Sequence, residues 1–168
     1  MSKAFTRDDD GTQPILQRPV SPLPPGVKNY LTVGGAKRLE DELKHLREVD
    51  RPRAVTSNDP AKAELLQKID LRIAYLDQSL QSAEVVSPPA QPDDKVRFGA
   101  TVTVRDKTGA ETKYRIVGVD ETDIDRDWVS WRSPIAKALL NASVGQRVKF
   151  QIPAGVQEWE IVAITYEP

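Results

Sequence analysis

Apolar residues recur at alternating spacings of three and four in two separate stretches of the chain. This spacing lays one narrow apolar stripe along a helix. Two such stripes cover each other when the helices pair, so the pattern predicts a short antiparallel coiled-coil hairpin over residues 29–86. The first stripe consists of Ala36, Leu39, Leu43 and Leu46, and the second of Leu66, Ile69, Ile73, Leu76, Leu80 and Ala83.

The ends of the two predicted helices carry start and stop signals. Thr32 can cap the first helix with its hydroxyl group, although Gly34-Gly35 weakens the first turn. Asp59 can cap the second helix, for which Pro60 suits the first helical position. Pro52 removes one amide donor, so the first arm is predicted to bend or end there.

The hydrophobic period changes to two after the proline-rich stretch 87–94. Alternation of this kind is typical of strands, and Ser133-Pro134 gives a cap and a first position for one short helix through Leu140. We therefore predict an α+β chain in which the hairpin precedes an antiparallel sheet with one helix. The predicted strands lie around Val96–Val104, Tyr114–Val119, Trp128–Trp131, Val148–Ile152 and Trp159–Ile164.

Composition divides the chain into four predicted segments. Residues 1–28 are rich in proline and aspartate and bury too little apolar surface to order the chain, which predicts a disordered tail. The hairpin spans 29–86 and the stiff linker 87–94, where successive prolines favour an extended backbone. The α+β module spans 95–168.

Charge and residue types exclude several classes of function. With 24 Lys+Arg against 25 Asp+Glu, the net charge of −1 predicts no strong independent nucleic-acid binding. The absence of cysteine excludes disulfides, thiolate metal sites and a cysteine nucleophile. The sequence has no apolar run long enough to cross a membrane, so we expect a cytoplasmic protein with no cofactor and no membrane partner.

The tip of the hairpin, Ser57, Asn58 and Asp59, is the first candidate site. Asp59 could act on a metal ion only if the tip reached an active centre, and the alternative is that it caps the second helix. One carboxylate is a poor ligand set for Mg²⁺, so we predict no metal site here.

The second candidate site is a contact surface around the tryptophans. Trp128 and Trp131 stand three residues apart, which in a strand places them on opposite faces, one in the core and one more exposed. Aromatic and arginine residues dominate interface hot spots, so Trp131, Arg132, Ser133 and Pro134 form the predicted docking segment. The alternative is that both tryptophans only pack the module.

Several motifs, in order and spacing, resemble the GreA/GreB family of bacterial transcription factors across residues 29–167. They comprise Tyr30-Leu31-Thr32 with Gly35, Leu39, Glu42 and Leu43; Arg51-Pro52-Arg53-Ala54-Val55; Ile73-Ala74-Tyr75-Leu76; Phe98-Gly99-Ala100-Thr101-Val102; Ser133-Pro134-Ile135-Ala136-Lys137-Ala138-Leu139-Leu140; Val144-Gly145-Gln146-Arg147-Val148; Pro153-Ala154-Gly155; Glu160-Ile161; and Ile164-Thr165-Tyr166.

The resemblance implies a coiled-coil hairpin that enters the secondary channel of bacterial RNA polymerase, and a C-terminal module similar to the FKBP fold that docks on the channel rim. In typical members, an acidic motif at the tip helps to hold a catalytic metal ion, and the polymerase then cleaves backtracked RNA. A monomer is expected.

The sequence departs from the family pattern at the tip and at the rim. Residues 55–60 contain no acidic tip motif, and each arm is about one heptad shorter, which at about 1.5 Å per residue removes roughly 10 Å. The short hairpin is similar to that of the regulator of nucleoside diphosphate kinase. Arg132 stands where cleavage factors are expected to carry an acidic residue.

Three functions follow from these observations. The first is a polymerase-binding elongation regulator that acts at the secondary channel, is not an enzyme and does not stimulate transcript cleavage. The second is an active transcript-cleavage factor with an altered tip. The third is a peptidyl-prolyl isomerase, suggested only by the FKBP-like module, and fold alone does not imply this activity.

Overall fold

The chain folds into a helical hairpin followed by a curled sheet, which confirms the α+β prediction. The computed structural model describes residues 23–91 and 93–167. Most of the predicted tail therefore lies outside the described residues. The name helical hairpin is used below for residues 29–86, and sheet module for residues 95–167. No helix within the described ranges is long and apolar enough to cross a membrane.

The first arm of the helical hairpin continues past Pro52 without ending. It consists of α1 (Val33–His45), a π-helical turn (Leu46–Asp50) and α2 (Arg51–Thr56). In the π-helical turn, the Arg51 amide donates to the carbonyl oxygen of Leu46, five residues back. The wider turn makes room for the Pro52 ring, which would otherwise clash with the preceding turn of an α-helix.

The second arm, α3 (Lys62–Ser82), begins two residues later than the capping signals predict. Pro60 does not occupy the first helical position, because Asp59 folds the chain into a turn before the helix. Its Oδ1 accepts a hydrogen bond from the Ala61 amide at 2.8 Å, and its backbone oxygen accepts one from the Lys62 amide at 3.0 Å. Asp59 thus serves the local backbone, as a residue of an Asx turn.

The two predicted stripes meet in one hydrophobic cluster between the arms. Leu31 at the base of the helical hairpin and Ala54 near its tip extend this cluster in both directions. Its buried members from the stripes are Ala36, Leu39, Leu43, Leu46, Ile69 and Leu76, and Leu66, Ile73, Leu80 and Ala83 are partly buried against them. The periodicity therefore predicted the contact between the arms correctly.

A short parallel pair of strands closes the base of the helical hairpin. Strand β1 (Asn29–Thr32) pairs with β2 (Ala83–Val86), so the second helix ends at Ser82 and not beyond Ala83 as the stripe predicted. The Asn29 side chain reinforces this base, because its Nδ2 donates to the Ser79 carbonyl oxygen at 2.9 Å. The first and last residues of the helical hairpin are therefore held together at its base, before the chain enters the sheet module.

The sheet module contains five strands, which are β3 (Ala100–Arg105), β4 (Glu111–Val117), β5 (Trp128–Ser130), β6 (Arg147–Ile152) and β7 (Gly155–Tyr166). Their order in the sheet is β5-β4-β3-β7-β6. The prediction of a purely antiparallel sheet is wrong at one edge, where β5 pairs with β4 in parallel. The long connection between these two strands allows the chain to return in the same direction. The predicted cap of α4 (Pro134–Leu139) is confirmed, since Ser133 Oγ accepts from the Ala136 amide at 3.1 Å.

One hydrophobic core holds the sheet and α4 together. Leu139 from α4 is fully buried against residues that point from one face of the strands. Burial of this kind is the main stabilising term for such a module. The buried members are Val96, Ala100, Val102, Val104, Ile116, Ala136, Leu139, Ala142, Val148 and Ile161.

Candidate functional site

The tip of the helical hairpin is an exposed turn whose polar groups bind each other. Asn58 and Asp59 are exposed, and Ser57 is half-buried. Ser57 Oγ accepts a hydrogen bond from the Asp59 amide at 3.1 Å, while Asp59 Oδ1 is held by the Ala61 amide. The tip residues thus lie together as predicted, with Asp59 as their one carboxylate.

Two further acidic residues near the tip, Glu64 and Asp70, form ion pairs with basic side chains. Glu64 lies 2.8 Å from Lys68 one turn along α3, and this hydrogen bond lowers the pKa of the Glu64 carboxyl. Asp70 pairs with Arg51 across the arms at 2.8 Å. The described residues contain no group of three or more His, Asp or Glu side chains arranged to hold a metal ion.

The predicted docking segment, residues 131–134, consists of the turn between β5 and α4 and the first residue of α4, Pro134. The Trp131 amide donates to the Val117 carbonyl oxygen at 2.9 Å, and the Arg132 amide donates to Ser130 Oγ at 3.1 Å. These bonds fix the backbone, with Arg132 half-buried and Pro134 exposed. The four residues form one continuous surface segment at an edge of the sheet module.

Both tryptophans are half-buried, so neither is the exposed member of the predicted pair, although of the two only Trp131 packs against the core of the sheet module. Trp131 lies in the turn after β5, and its ring packs edge-on against Tyr30 with centroids 5.1 Å apart. Its indole N–H is buried with no acceptor among the described residues. Trp128 is also half-buried and lies 4.9 Å from the guanidinium carbon of Arg38, on the helical hairpin.

A buried carboxylate at the junction between the helical hairpin and the sheet module escaped the sequence analysis. Glu121 ends the 3₁₀ turn Val119–Glu121, and its side chain is 1% exposed. Its Oε2 accepts from the amides of Thr32 and Gly118, both at 2.9 Å. Its Oε1 accepts from the Thr32 hydroxyl and lies 3.3 Å from Arg38 Nη2. Four donors therefore satisfy this charge, as burial requires.

The preceding residue, Asp120, makes the matching contact with the second arm. Its carboxylate accepts hydrogen bonds from the Tyr75 hydroxyl and, at 2.6 Å, from Ser79 Oγ. Burial, followed by the hydrogen bond to Asp120 and its charge, raises the pKa of Tyr75 above the ordinary range for tyrosine. Consecutive acidic residues thus bind both arms of the helical hairpin.

Two glycines make this approach possible. A Cβ atom at Gly35 would overlap the Glu121 carboxylate, and one at Gly118 would overlap the Tyr30 carbonyl oxygen. Gly35 therefore has a packing role, and is not merely a weak residue in the first helical turn. The sequence does contain a glycine after the Thr32 cap and two adjacent acidic residues at 120 and 121. It does not indicate that Gly35 and Glu121 would be in contact.

Comparisons with known proteins show which family the chain belongs to. The family described as "Transcription elongation factor, GreA/GreB, C-term" matches residues 91–166. The transcription elongation factor GreA of Rickettsia bellii is 37% identical over 84% of this chain and 97% of its own length. The transcription elongation factor GreB of Pasteurella multocida is 33% identical, over 83% of this chain and 97% of its own.

A solved structure from Nitrosomonas europaea, a prokaryotic transcription elongation factor GreA/GreB, is 25% identical and covers 83% of this chain and 99% of its own, with a TM-score of 0.42. The sequence relatives define the class of the protein as transcription elongation regulators. Within that class, the chain belongs to the GreA/GreB family.

This membership corrects one prediction. Because the tip lacks the acidic motif, the sequence predicted a protein that is not an enzyme. Factors named GreA stimulate transcript cleavage, and the chain matches such factors over nearly their whole length. The absence of a motif at the tip therefore does not separate this chain from the cleavage-stimulating class.

Proposed function

We propose that this protein binds bacterial RNA polymerase in the cytoplasm and regulates elongation by inserting its helical hairpin into the polymerase secondary channel. Family membership supports the partner, and the helical hairpin supports the mode of action. The observation that carries the proposal is the hydrophobic cluster between the arms, which is buried from Leu31 at the base to Ala54 near the tip. We call this cluster the seam. Such a seam, packed as a short coiled coil, stiffens a narrow projection that ends at residues 57–59.

The sheet module, as an FKBP-like unit, would dock on the rim of the channel. In the docking segment, Pro134 is exposed and Arg132 is half-buried, so these two offer the direct contact. Trp131 and Ser133 support that surface, the first by packing on Tyr30 and the second by capping α4. The protein would act as a monomer with its hairpin over 29–86, linker over 87–94 and docking domain over 95–168.

Site-specific crosslinking tests the proposed orientation. The chain has no cysteine, so Asn58→Cys gives a single reactive thiol at the exposed tip. A photoactivatable crosslinker on this thiol should react with polymerase segments that line the secondary channel. Lys107→Cys, in the exposed turn between β3 and β4, is the matched control and should not reach them.

Two results would contradict the proposal. The first is failure of the unmodified protein to bind core polymerase in a pull-down at low salt. The second is binding without a channel crosslink from residue 58, which would leave the partner correct and the mode of action wrong.

A further inference from the structure

The 3₁₀ turn Val119–Glu121 contacts both arms of the helical hairpin with two adjacent carboxylates. Asp120 accepts from Tyr75 and Ser79 on α3, and Glu121 accepts from Thr32 at the start of α1. Residue pairs at these contacts are separated by 41 to 89 positions along the chain. The contacts are therefore tertiary and join the helical hairpin to the sheet module.

The hydrogen bonds of Glu121 depend on one relative placement of the two parts. The Thr32 amide and hydroxyl and Arg38 belong to the helical hairpin, and only the Gly118 amide belongs to the same loop as Glu121. Any rotation of the helical hairpin removes donors from a carboxylate that water does not reach. An unsatisfied buried charge is strongly disfavoured, so rotated placements are penalised.

Close packing around the carboxylate makes the placement specific. The Glu121 side chain fills the space that a side chain at residue 35 would need. Tyr30 packs against Phe98 and Trp131 of the sheet module, with centroid distances of 5.7 and 5.1 Å. These ring contacts add a second point at which the helical hairpin and the sheet module are packed together, as in a protein core.

We propose that Asp120 and Glu121 are positioning residues that fix the direction of the helical hairpin relative to the sheet module. This inference rests on the proposed function, since a direction matters when one part docks at the rim and the other enters the channel. A tip displaced by a few ångströms misses its target, and misplacement on that scale has large effects on rates. Neither residue needs to touch the polymerase.

A distance measurement without polymerase tests the positioning directly. Spin labels on Asn58→Cys and Lys107→Cys, in the otherwise cysteine-free chain, report the distance from the tip to a distal turn of the sheet module. We expect one narrow distance distribution for the labelled protein, and a broadened or shifted one after Glu121→Ala or Asp120→Ala. Asp125→Ala, on the exposed part of the same loop, should leave the distribution unchanged.

Glu121→Gln is the conservative variant that should restore the narrow distribution. Its amide oxygen can accept from the Thr32 and Gly118 amides, and its amide nitrogen can donate to the Thr32 hydroxyl oxygen. The pairing with Arg38 is lost, and the Thr32 hydroxyl becomes an acceptor at this contact where it was a donor. An unchanged distribution in Glu121→Ala, or an equally broad one in Glu121→Gln, would overturn the proposal.

A transcription assay separates positioning from mere stability. With folded variants, Glu121→Ala should lower the maximal effect on elongation at saturating protein, while Glu121→Gln retains it. A change confined to the half-saturating concentration would indicate weakened docking and overturn the positioning role. If the unmodified protein does not bind polymerase, the proposed function fails, but the distance measurement still decides whether the two residues fix the orientation.

Discussion

Gly35 lies against Glu121 so closely that a Cβ atom at residue 35 would overlap the carboxylate. The glycine is in α1 and the acid is in the loop of the sheet module, so the two parts of the chain are fitted to each other at this point. Helix propensity alone would favour alanine at this position, by about 0.5–1 kcal/mol. The packing requirement outweighs that preference.

Gly35→Ala is expected to lower the free energy of unfolding by about 1–3 kcal/mol, as overpacking of a buried site does. In a Glu121→Ala background the same substitution should reverse its sign and stabilise by up to about 1 kcal/mol, because the helix gains propensity and the clash is gone. Chemical denaturation of the four proteins of this double-mutant cycle measures the coupling. Equal effects of Gly35→Ala in both backgrounds would show that the two residues do not interact.

Truncation within the seam should reveal different depths of burial on the two arms. Leu43 is 8% exposed, so Leu43→Ala should cost about 2–4 kcal/mol of unfolding free energy. Ile73 is only partly buried, so Ile73→Ala should cost less, about 1–2 kcal/mol. Leu71 on the outer face of α3 is 64% exposed, and Leu71→Ala should change stability by no more than about 0.5 kcal/mol. Denaturant titrations compare the three, and a similar loss in all of them would contradict the seam.

Local patterns predicted much of the fold because their causes are local. The stripe that contains Leu39 and Leu76 depends only on the periodicity of the helix, and the Ser133 cap depends only on the next three residues. The pairing of β1 with β2 joins residues that are 54 positions apart, and no local sequence pattern predicts it. For the same reason, the parallel pairing of β5 with β4 was not predicted from the sequence.

The candidate site shows this limit most clearly. In the sequence, Glu121 is one of several acidic residues in a hydrophilic loop. Its burial depends on hydrogen-bond donors at Thr32, which lies 89 positions earlier. The tip and the docking segment were located from their neighbours in the sequence, whereas the junction that connects them required the structure. Periodicity also could not assign the surroundings of Trp128, which arginines from three separate segments contact.

Stability should depend on Tyr75 at alkaline pH. Its folded-state pKa is raised, first by burial and then by the hydrogen bond and charge of Asp120. A group whose pKa is raised on folding contributes stability below its unfolded-state pKa, here about 10, and loses that contribution as the pH rises further. The difference in unfolding free energy between the unmodified protein and Tyr75→Phe should therefore fall above about pH 10. Urea titrations at several pH values would refute this if the difference stayed constant.

Charge reversal at the docking segment should weaken polymerase binding. Arg132 is half-buried at the surface of the turn, and a mutated interface charge chiefly changes the association rate and its salt dependence. Arg132→Glu should lower affinity for core polymerase at low salt, with the thermal unfolding midpoint unchanged within a few degrees. Lys107→Glu, which reverses an exposed charge in a distant turn, is the matched control. Equal affinities of the two variants would remove Arg132 from the interface.

If the protein stimulates transcript cleavage through its tip, Asp59 is the residue on which that stimulation should depend. It is the one carboxylate among residues 57–59, and Mg²⁺ at phosphoryl-transfer sites is bound through one or two carboxylates together with substrate oxygens, so no other tip residue could replace it. Asp59→Asn removes the charge but keeps an oxygen that can accept from the Ala61 amide, so the turn before α3 should persist. Cleavage of a backtracked transcript, measured above the rate of the polymerase alone, should be lost in Asp59→Asn while polymerase binding is retained. Asn58→Ala, at the neighbouring exposed position, should leave the rate unchanged. Stimulation that survives Asp59→Asn would show that it does not depend on a carboxylate at the tip.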